Sequence, residues 1–241
     1  MAVYGPAFTL VYERHWSSFA RAAGPAIAKL LHAVGIVEGR VVDLGCGTGH
    51  VASALCRRRY DVIGIDASRS VLALARKRAP AARFFASRIE GAPIPRGAAA
   101  VLSTFDTLNY VLSPRDLLAL FRRARAALRP GGVLLFDVNS TVALARRAGK
   151  VEVRRLPRLF LVLEGSYDPA TRLGPLKLTG FVREGNLHRQ FEEVHVQRAY
   201  DPDEVEELLS KAGFRHERLG GYAESPDVKG DLRAFYLARP A

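Results

Sequence analysis

The stretch that decides the fold is Arg40-Val41-Val42-Asp43-Leu44-Gly45-Cys46-Gly47-Thr48-Gly49-His50. A short apolar run reaches an acidic residue, three glycines follow at alternate positions, and a helical pattern starts near Thr48 and continues to Arg58. An apolar run this short, bounded by glycine, reads as a strand buried on both faces of a parallel sheet. Glycines after such a strand let the backbone approach a bound ligand at the carboxyl edge of the sheet. Outward from this turn the alternation repeats. Asp61 to Asp66 reads as a second strand followed by a helix to Ala79, and Ala82 to Ala86 and Ala98 to Thr104 read as a third and a fourth. Ser113 caps the next helix and Pro114 takes its first turn. Leu117, Leu118, Phe121 and Leu128 form its apolar stripe, and Gly131-Gly132 end it before a fifth strand, Val133 to Val138. Strands and helices alternating at this pace give right-handed crossovers, hence an α/β, Rossmann-like, doubly wound and mostly parallel sheet.

After Arg147 the period changes to two. Leu159 to Tyr167, Leu176 to Arg183 and Leu187 to Arg198 read as strands joined by turns at Asp168-Pro169 and Glu184-Gly185-Asn186. A helix from Asp201 follows, with Asp201 and Glu204 at capping-box spacing, and Phe214 to Leu219 and Arg233 to Ala238 close the chain. Ala20 to Val34 carries helical periodicity behind Tyr4, Tyr12 and Trp16. The expected division is an N-terminal helical cap over 1–39, a core over 40–145 and 200–241, and an antiparallel β-rich insertion over 146–199.

The 241 residues suffice for one elaborated domain, and 49% hydrophobic with 25% charged residues exclude wholesale disorder and fibrous repeats. No uncharged apolar run approaches the roughly 20 residues of a membrane span. Met1 to Tyr12 lacks a basic lead and an apolar core, so no secretory leader is expected and a cytoplasmic address follows. Cys46 and Cys56 are too few for a disulfide framework, and neither they nor His15, His32, His50, His188 and His216 have metal-ligand spacing; no metal is expected. The net charge is +12, and only six of the 36 basic residues are lysine. Arginines late in predicted helices complement the helix dipole, so a solvated basic surface is favoured over a nucleic-acid footprint, the competing reading of the charge.

Asp66, at the end of the second strand, is placed to accept both hydroxyls of a ribose, which implies a nucleoside-containing ligand; capping the next helix is its plainer role. A dinucleotide loop wants its third glycine one position later, where this chain has His50. The glycine spacing instead resembles that of the class I S-adenosylmethionine-dependent methyltransferases. Val41 to His50, Val62 to Asp66 and Ala127-Leu128-Arg129-Pro130-Gly131-Gly132 are similar to three of that family's motifs. Phe105-Asp106-Thr107-Leu108-Asn109-Tyr110, Phe136-Asp137-Val138-Asn139 and Phe191-Glu192-Glu193-Val194-His195 resemble a bacterial small-molecule group within it, in which the β-rich insertion is a lid.

The resemblance implies S-adenosyl-L-methionine as cofactor. Asp43 and the backbone of Gly45, Gly47 and Gly49 would hold its methionine portion and Asp66 its ribose, with Cys46, Ala67, Arg88, Ile89 and Phe105 completing the set. Two departures stand out. Ser87-Arg88 occupies the place of an acidic residue that faces adenine, which passes that contact to backbone around Ile89 or to Glu90, and Ala98-Ala99 replaces a Phe-Asp pair. Methyl transfer is an in-line displacement in which positioning contributes roughly 7–11 kcal/mol. Strand alternation puts Phe191, Glu193, His195 and Gln197 on one face; with a pKa near neutrality His195 is the candidate general base, an exposed or structurally hydrogen-bonded histidine on the lid strand being its plainer role. Tyr110 and Asn109, after the fourth strand at the sheet's carboxyl edge, are further catalytic candidates. Asp106, Tyr12 and Trp16 are the candidate substrate contacts; loop packing is the plainer role of Asp106, Asn109 and Tyr110, and packing that of the N-terminal aromatics. The expected function is methyl transfer to an oxygen or nitrogen of a small-molecule acceptor. The alternatives are an RNA methyltransferase and a catalytically degenerate nucleoside-binding protein. A homodimer is compatible with the sequence, which does not fix the oligomeric state.

Overall fold

In a computed structural model of the chain, residues 5–221 and 232–241 are described. Tyr4 lies outside them. Seven strands form the main sheet: β1 (Arg40–Leu44), β2 (Asp61–Asp66), β3 (Arg83–Ala86), β4 (Ala98–Ser103), β5 (Leu128–Asn139), β10 (Phe214–Leu219) and β11 (Arg233–Pro240), in the order β10-β11-β5-β4-β1-β2-β3. β1 pairs in parallel with both β2 and β4, while β11 runs antiparallel to both of its neighbours. The chain winds outward from β1 to β3 and then returns to lay β4 on the other side of β1. That reversal opens a crevice at the carboxyl ends of β1 and β4.

Alternation along the strands divides the core. Val41 and Val62 pack with α2 (Ser17–Ala33), α3 (His50–Cys56) and α4 (Arg69–Arg78), whereas Val42 and Ile63 pack with α5 (Pro114–Ala127) and α7 (Pro202–Lys211). Ser113 caps α5 as expected, but its buried stripe is Leu117, Leu120, Phe121 and Ala124. Leu118 is only half-buried, and Leu128 already belongs to β5, because the helix ends at Ala127, ahead of the glycines. At α7 the capping box is not made. Asp201 instead accepts hydrogen bonds from the backbone N–H and hydroxyl of Thr141, which opens α6 (Thr141–Ala145), and Glu204 pairs with Arg172 and Arg198.

A second, antiparallel sheet has the order β6 (Val151–Leu156), β7 (Leu159–Gly165), β8 (Leu173–Glu184), β9 (Leu187–Arg198). β6 has no counterpart in the expected strands, because Val151 and Val153 alternate outward and are exposed. On the inner face Leu159, Leu161, Leu163 and Leu178 pack against Phe8 and Val11 of α1 (Pro6–His15). Helix α1 therefore lies against both sheets' elements. Its Glu13 accepts hydrogen bonds from the Thr48 hydroxyl at 2.7 Å and from Arg78, with His50 Nε2 at 3.2 Å, fastening the helix to the glycine turn and to α4.

Burial opposes ionisation of Glu13, but the Thr48 hydroxyl, Arg78 and His50 together hold its carboxyl below its ordinary value of 4.5. A depressed carboxylate stabilises the fold above its unfolded pKa, and that contribution is lost as pH falls through the folded one. Glu13→Gln is expected to lower stability by about 1–3 kcal/mol at pH 7, with the deficit shrinking below pH 4; urea unfolding at the two pH values measures it, and an unchanged midpoint at pH 7 would contradict the fastening.

Candidate active site

Above the crevice the two sheets and α1 enclose a cavity of about 990 Å³. Its floor is the turn after β1. Gly45, Gly47 and Gly49 have φ of +73°, +51° and +80°, a region that side chains disfavour. At Gly45 a β-carbon would lie 2.3 Å from Thr107, so the turn and the segment after β4 touch only because no side chain intervenes. Gly49 is different. A β-carbon there would meet Ala75 at 3.0 Å, so the missing side chain also lets α3 pack closely on α4, a packing role beside its expected backbone contact to the ligand.

Two acidic residues face the cavity from adjacent strands. Asp43 is 1% exposed, and neither carboxylate oxygen has a hydrogen-bond partner among the described residues. Burial, and then the neighbouring Asp66, push its carboxyl up to about 7. Asp66 accepts from the N–H of Gly47 at 3.0 Å and of Ser68 at 2.9 Å, which orients the group; burial raises its pKa against the pull of those N–H donors. Asp43 thus has both oxygens open to a cationic donor, and Asp66 is aimed and retains acceptor capacity. Cys46 and Ala67 also line the cavity, the Cys46 thiol pushed up by burial and by Asp43 and Asp66.

Arg88, Ile89 and Glu90 line the same end. Arg88 turns to pair with Glu90, and the carbonyls of Ile89 and Glu90 are both taken by Arg123 of α5. Arg123 therefore fixes the segment that the Ser87-Arg88 departure made responsible for a base contact.

After β4, Phe105 and Asp106 adopt φ of +62° and +51°. This strained pair is held by one buried carboxylate: Asp137 of β5 accepts the N–H of Phe105 at 2.7 Å and of Asp106 at 3.1 Å. Asp137 also takes Arg233 of β11 at 2.8 Å, and Arg233 reaches on to Asp106 at 2.7 Å. The second Asp106 oxygen accepts from Gln197 of β9. Asp106 lines the cavity, so a network through Asp137, Arg233 and Gln197 presents it there.

On β9, His195 is buried and faces the cavity with Gln197, as the alternation predicts. Its Nδ1 lies 3.0 Å from the Tyr110 hydroxyl and its Nε2 3.2 Å from Glu193. Glu193 in turn accepts the Gly5 N–H at 2.7 Å, at the start of α1. The ring of Phe8 lies 4.9 Å from that of His195 and 5.3 Å from that of Trp16, over which the guanidinium of Arg154 in β6 sits at 5.4 Å. Tyr12 lines the cavity between the two ends, its hydroxyl pushed well above its ordinary pKa by burial and then by Asp106 and Asp66.

Asn109, expected as a catalytic candidate, has the packing role that was its plainer reading. It is fully buried outside the cavity lining, and its amide donates to the carbonyls of Asn139 and Arg198 and accepts from the N–H of Asn139. It clamps the ends of β5 and β9 to the 3₁₀ turn Thr107–Tyr110. Asp137, Gln197 and Arg233 are site residues that the sequence does not single out, because their partners lie 31 to 96 positions away, and Glu193 joins them through Gly5, 188 positions away, besides its neighbour His195. The facing of Glu193 and Gln197 alongside His195 was nevertheless available from alternation.

Residues 41–132 match the family model described as a methyltransferase domain. The YqeM protein of Bacillus subtilis is 28% identical over 208 residues, 84% of each chain. The dTDP-3-amino-3,4,6-trideoxy-alpha-D-glucopyranose N,N-dimethyltransferase of Streptomyces venezuelae is 27% identical over 198 residues, 75% of this chain and 77% of that protein. Among solved structures, an S-adenosylmethionine-dependent methyltransferase from Clostridium acetobutylicum superimposes with a TM-score of 0.86 at 23% identity, covering 97% of this chain and 98% of the other.

The raised carboxyl of Asp43 has a cost that can be measured. Between pH 3.8 and about 7 the unfolded chain has released this proton and the folded chain has not, so its contribution to stability falls as pH rises. The stability of Asp43→Asn relative to the parent is expected to improve from pH 4 to pH 8, by at most about 4 kcal/mol; urea titrations that give a pH-independent difference would contradict the assignment.

Proposed function

Because the chain is a class I S-adenosylmethionine-dependent methyltransferase, we propose that it transfers the methyl group to a nitrogen or oxygen of a small-molecule acceptor held under the second sheet. The observation that carries this reading is the single cavity running from the Asp43 and Asp66 carboxylates to Tyr110 and His195, roofed by α1 and by β7 to β9. The sugar N,N-dimethyltransferase relative supports the same acceptor class, and the RNA alternative gains no support from the comparisons. Two free thiols, Cys46 and Cys56, fit the reducing interior of a cell and support a cytoplasmic address.

The residues present fit the cofactor. The unpartnered Asp43 carboxylate would hold the ammonium of its methionine portion, with Gly45 and Gly47 leaving room for close approach, and the aimed Asp66 carboxylate would hold the ribose hydroxyls. When bound, the cofactor supplies a methyl group on a sulfonium, a reactive donor with a neutral leaving group. The protein supplies alignment and dryness. Asp106, locked by Arg233 and Gln197, orients the acceptor, and Phe8, Tyr12 and Trp16 exclude water above it. Tyr110 faces the acceptor: as the methyl group bonds to the acceptor atom, that atom's proton passes to the Tyr110 oxygen while the Tyr110 proton passes to Nδ1 of His195, with Glu193 3.2 Å from Nε2 on the far side of the ring. The insertion over 146–199 acts as the lid.

Asp66→Ala is expected to weaken S-adenosylmethionine binding by roughly 10- to 100-fold in calorimetry while remaining folded. Tyr110→Phe and His195→Ala are each expected to slow turnover by roughly 100-fold or more with that affinity intact. With methyl-tritiated cofactor and fractionated cell extract, label is expected in the small-molecule fraction; label confined to RNA, or in neither fraction, would overturn the proposal.

A further inference from the structure

Five cationic side chains line the cavity among the described residues, and three are neutralised within it. Arg88 pairs with Glu90, Arg154 with Glu152, and Arg233 with Asp106 and Asp137. Arg147 and Lys150 have no carboxylate within ion-pair distance among the described residues; the Arg147 guanidinium makes one long contact, 3.4 Å, to the Gln197 side-chain oxygen. Both stand on the turn between α6 and β6. That turn is fastened to the end of β7, since Gly149 donates to the Gly165 carbonyl at 2.9 Å and Gly165 to the Lys150 carbonyl at 3.0 Å. Two cations are thus held by built backbone at the lid end of the cavity. The acidic groups lining that end, Asp106 and Glu152, already have cationic partners.

Resting on the methyl-transfer reading of this cavity, we propose that the acceptor carries an anionic group, a carboxylate or a phosphate, seated between Arg147 and Lys150. A guanidinium fork beside an ammonium point charge suits the oxygens of either group. The geometry also separates the two ends of the acceptor. Arg147 touches Gln197, and Gln197 stands two residues from His195 on the same face of β9, roughly 7 Å along the strand. The anionic group and the Tyr110–His195 pair therefore lie at different points along β9, which describes an acceptor with its charge at one end and its nucleophile at the other. The apolar middle is lined by Leu163, Leu176 and Leu178.

The test uses the full chain saturated with S-adenosylhomocysteine, whose binding is measured first by calorimetry. Citrate and inorganic pyrophosphate are then titrated separately at ionic strength held constant with sodium chloride. Saturable binding of one probe is expected, weakened about tenfold or more in Arg147→Gln and in Lys150→Gln, and unchanged in Arg155→Gln on the exposed part of β6. Preference for citrate identifies a carboxylate acceptor, and preference for pyrophosphate a phosphorylated one. Binding of neither probe beyond the chloride control, or equal binding by the parent and both variants, would overturn the proposal. Failure of S-adenosylhomocysteine to bind would instead strike at the methyl-transfer reading, so the two failures are distinguishable.

Discussion

Two carboxylates at the ends of adjacent parallel strands repel each other, and burial strengthens the repulsion by removing the water that would screen it. Asp43 and Asp66 are in this position: Asp66 receives two backbone N–H groups, while Asp43 receives no hydrogen bond among the described residues and its carboxyl, pushed up to about 7, keeps its proton instead. A sequence selected for stability alone would place an apolar or amide side chain at Asp43. Keeping a carboxylate there stores unfavourable energy that a cationic ligand releases, and the surrounding turn, sheet and helices must supply enough stability to tolerate it.

The remainder of the site depends on the same floor. Absence of a side chain at Gly45 brings the segment after β4 against the turn, and Asp137 holds that segment in its strained shape. Through Arg233 and Gln197 this strain is tied to β11 and β9, and through Tyr110, His195 and Glu193 to the start of α1. Helix α1 returns to the floor at Glu13. Core, second sheet and N-terminal helix are therefore linked in a closed circuit of polar contacts around one cavity, so displacement of any of the three elements disturbs the others.

Local signals made much of this legible. The alternation of short apolar runs with helices gave the parallel strands and period-two patterning the antiparallel ones; Asp61–Asp66 of the first kind and Leu187–Arg198 of the second agree with the structure at both ends. Alternation along β9 placed His195 and Gln197 on the inner face. What failed depended on distant partners or on competition among them. Asp201 has the spacing of a capping box, yet Thr141 captures its side chain; Asn109 looks like a cavity residue, yet three backbone groups of β5 and β9 consume its amide. Gly49 belongs to a ligand-binding motif by spacing, and only the position of Ala75 shows that it also serves packing. Strand β6 escaped because Val151 and Val153 are exposed and only Leu156 packs inward.

The central claim is that a buried, proton-holding Asp43 gives up its proton to receive the cofactor's positive charge. Calorimetry of S-adenosylmethionine binding in two buffers of different ionisation heat measures this directly. With the Asp43 carboxyl held near 7, close to one proton is expected to leave the protein per cofactor bound at pH 6, about a tenth of one at pH 8, and none at pH 6 in Asp43→Asn. Binding at pH 6 without proton release by the parent protein would contradict the account.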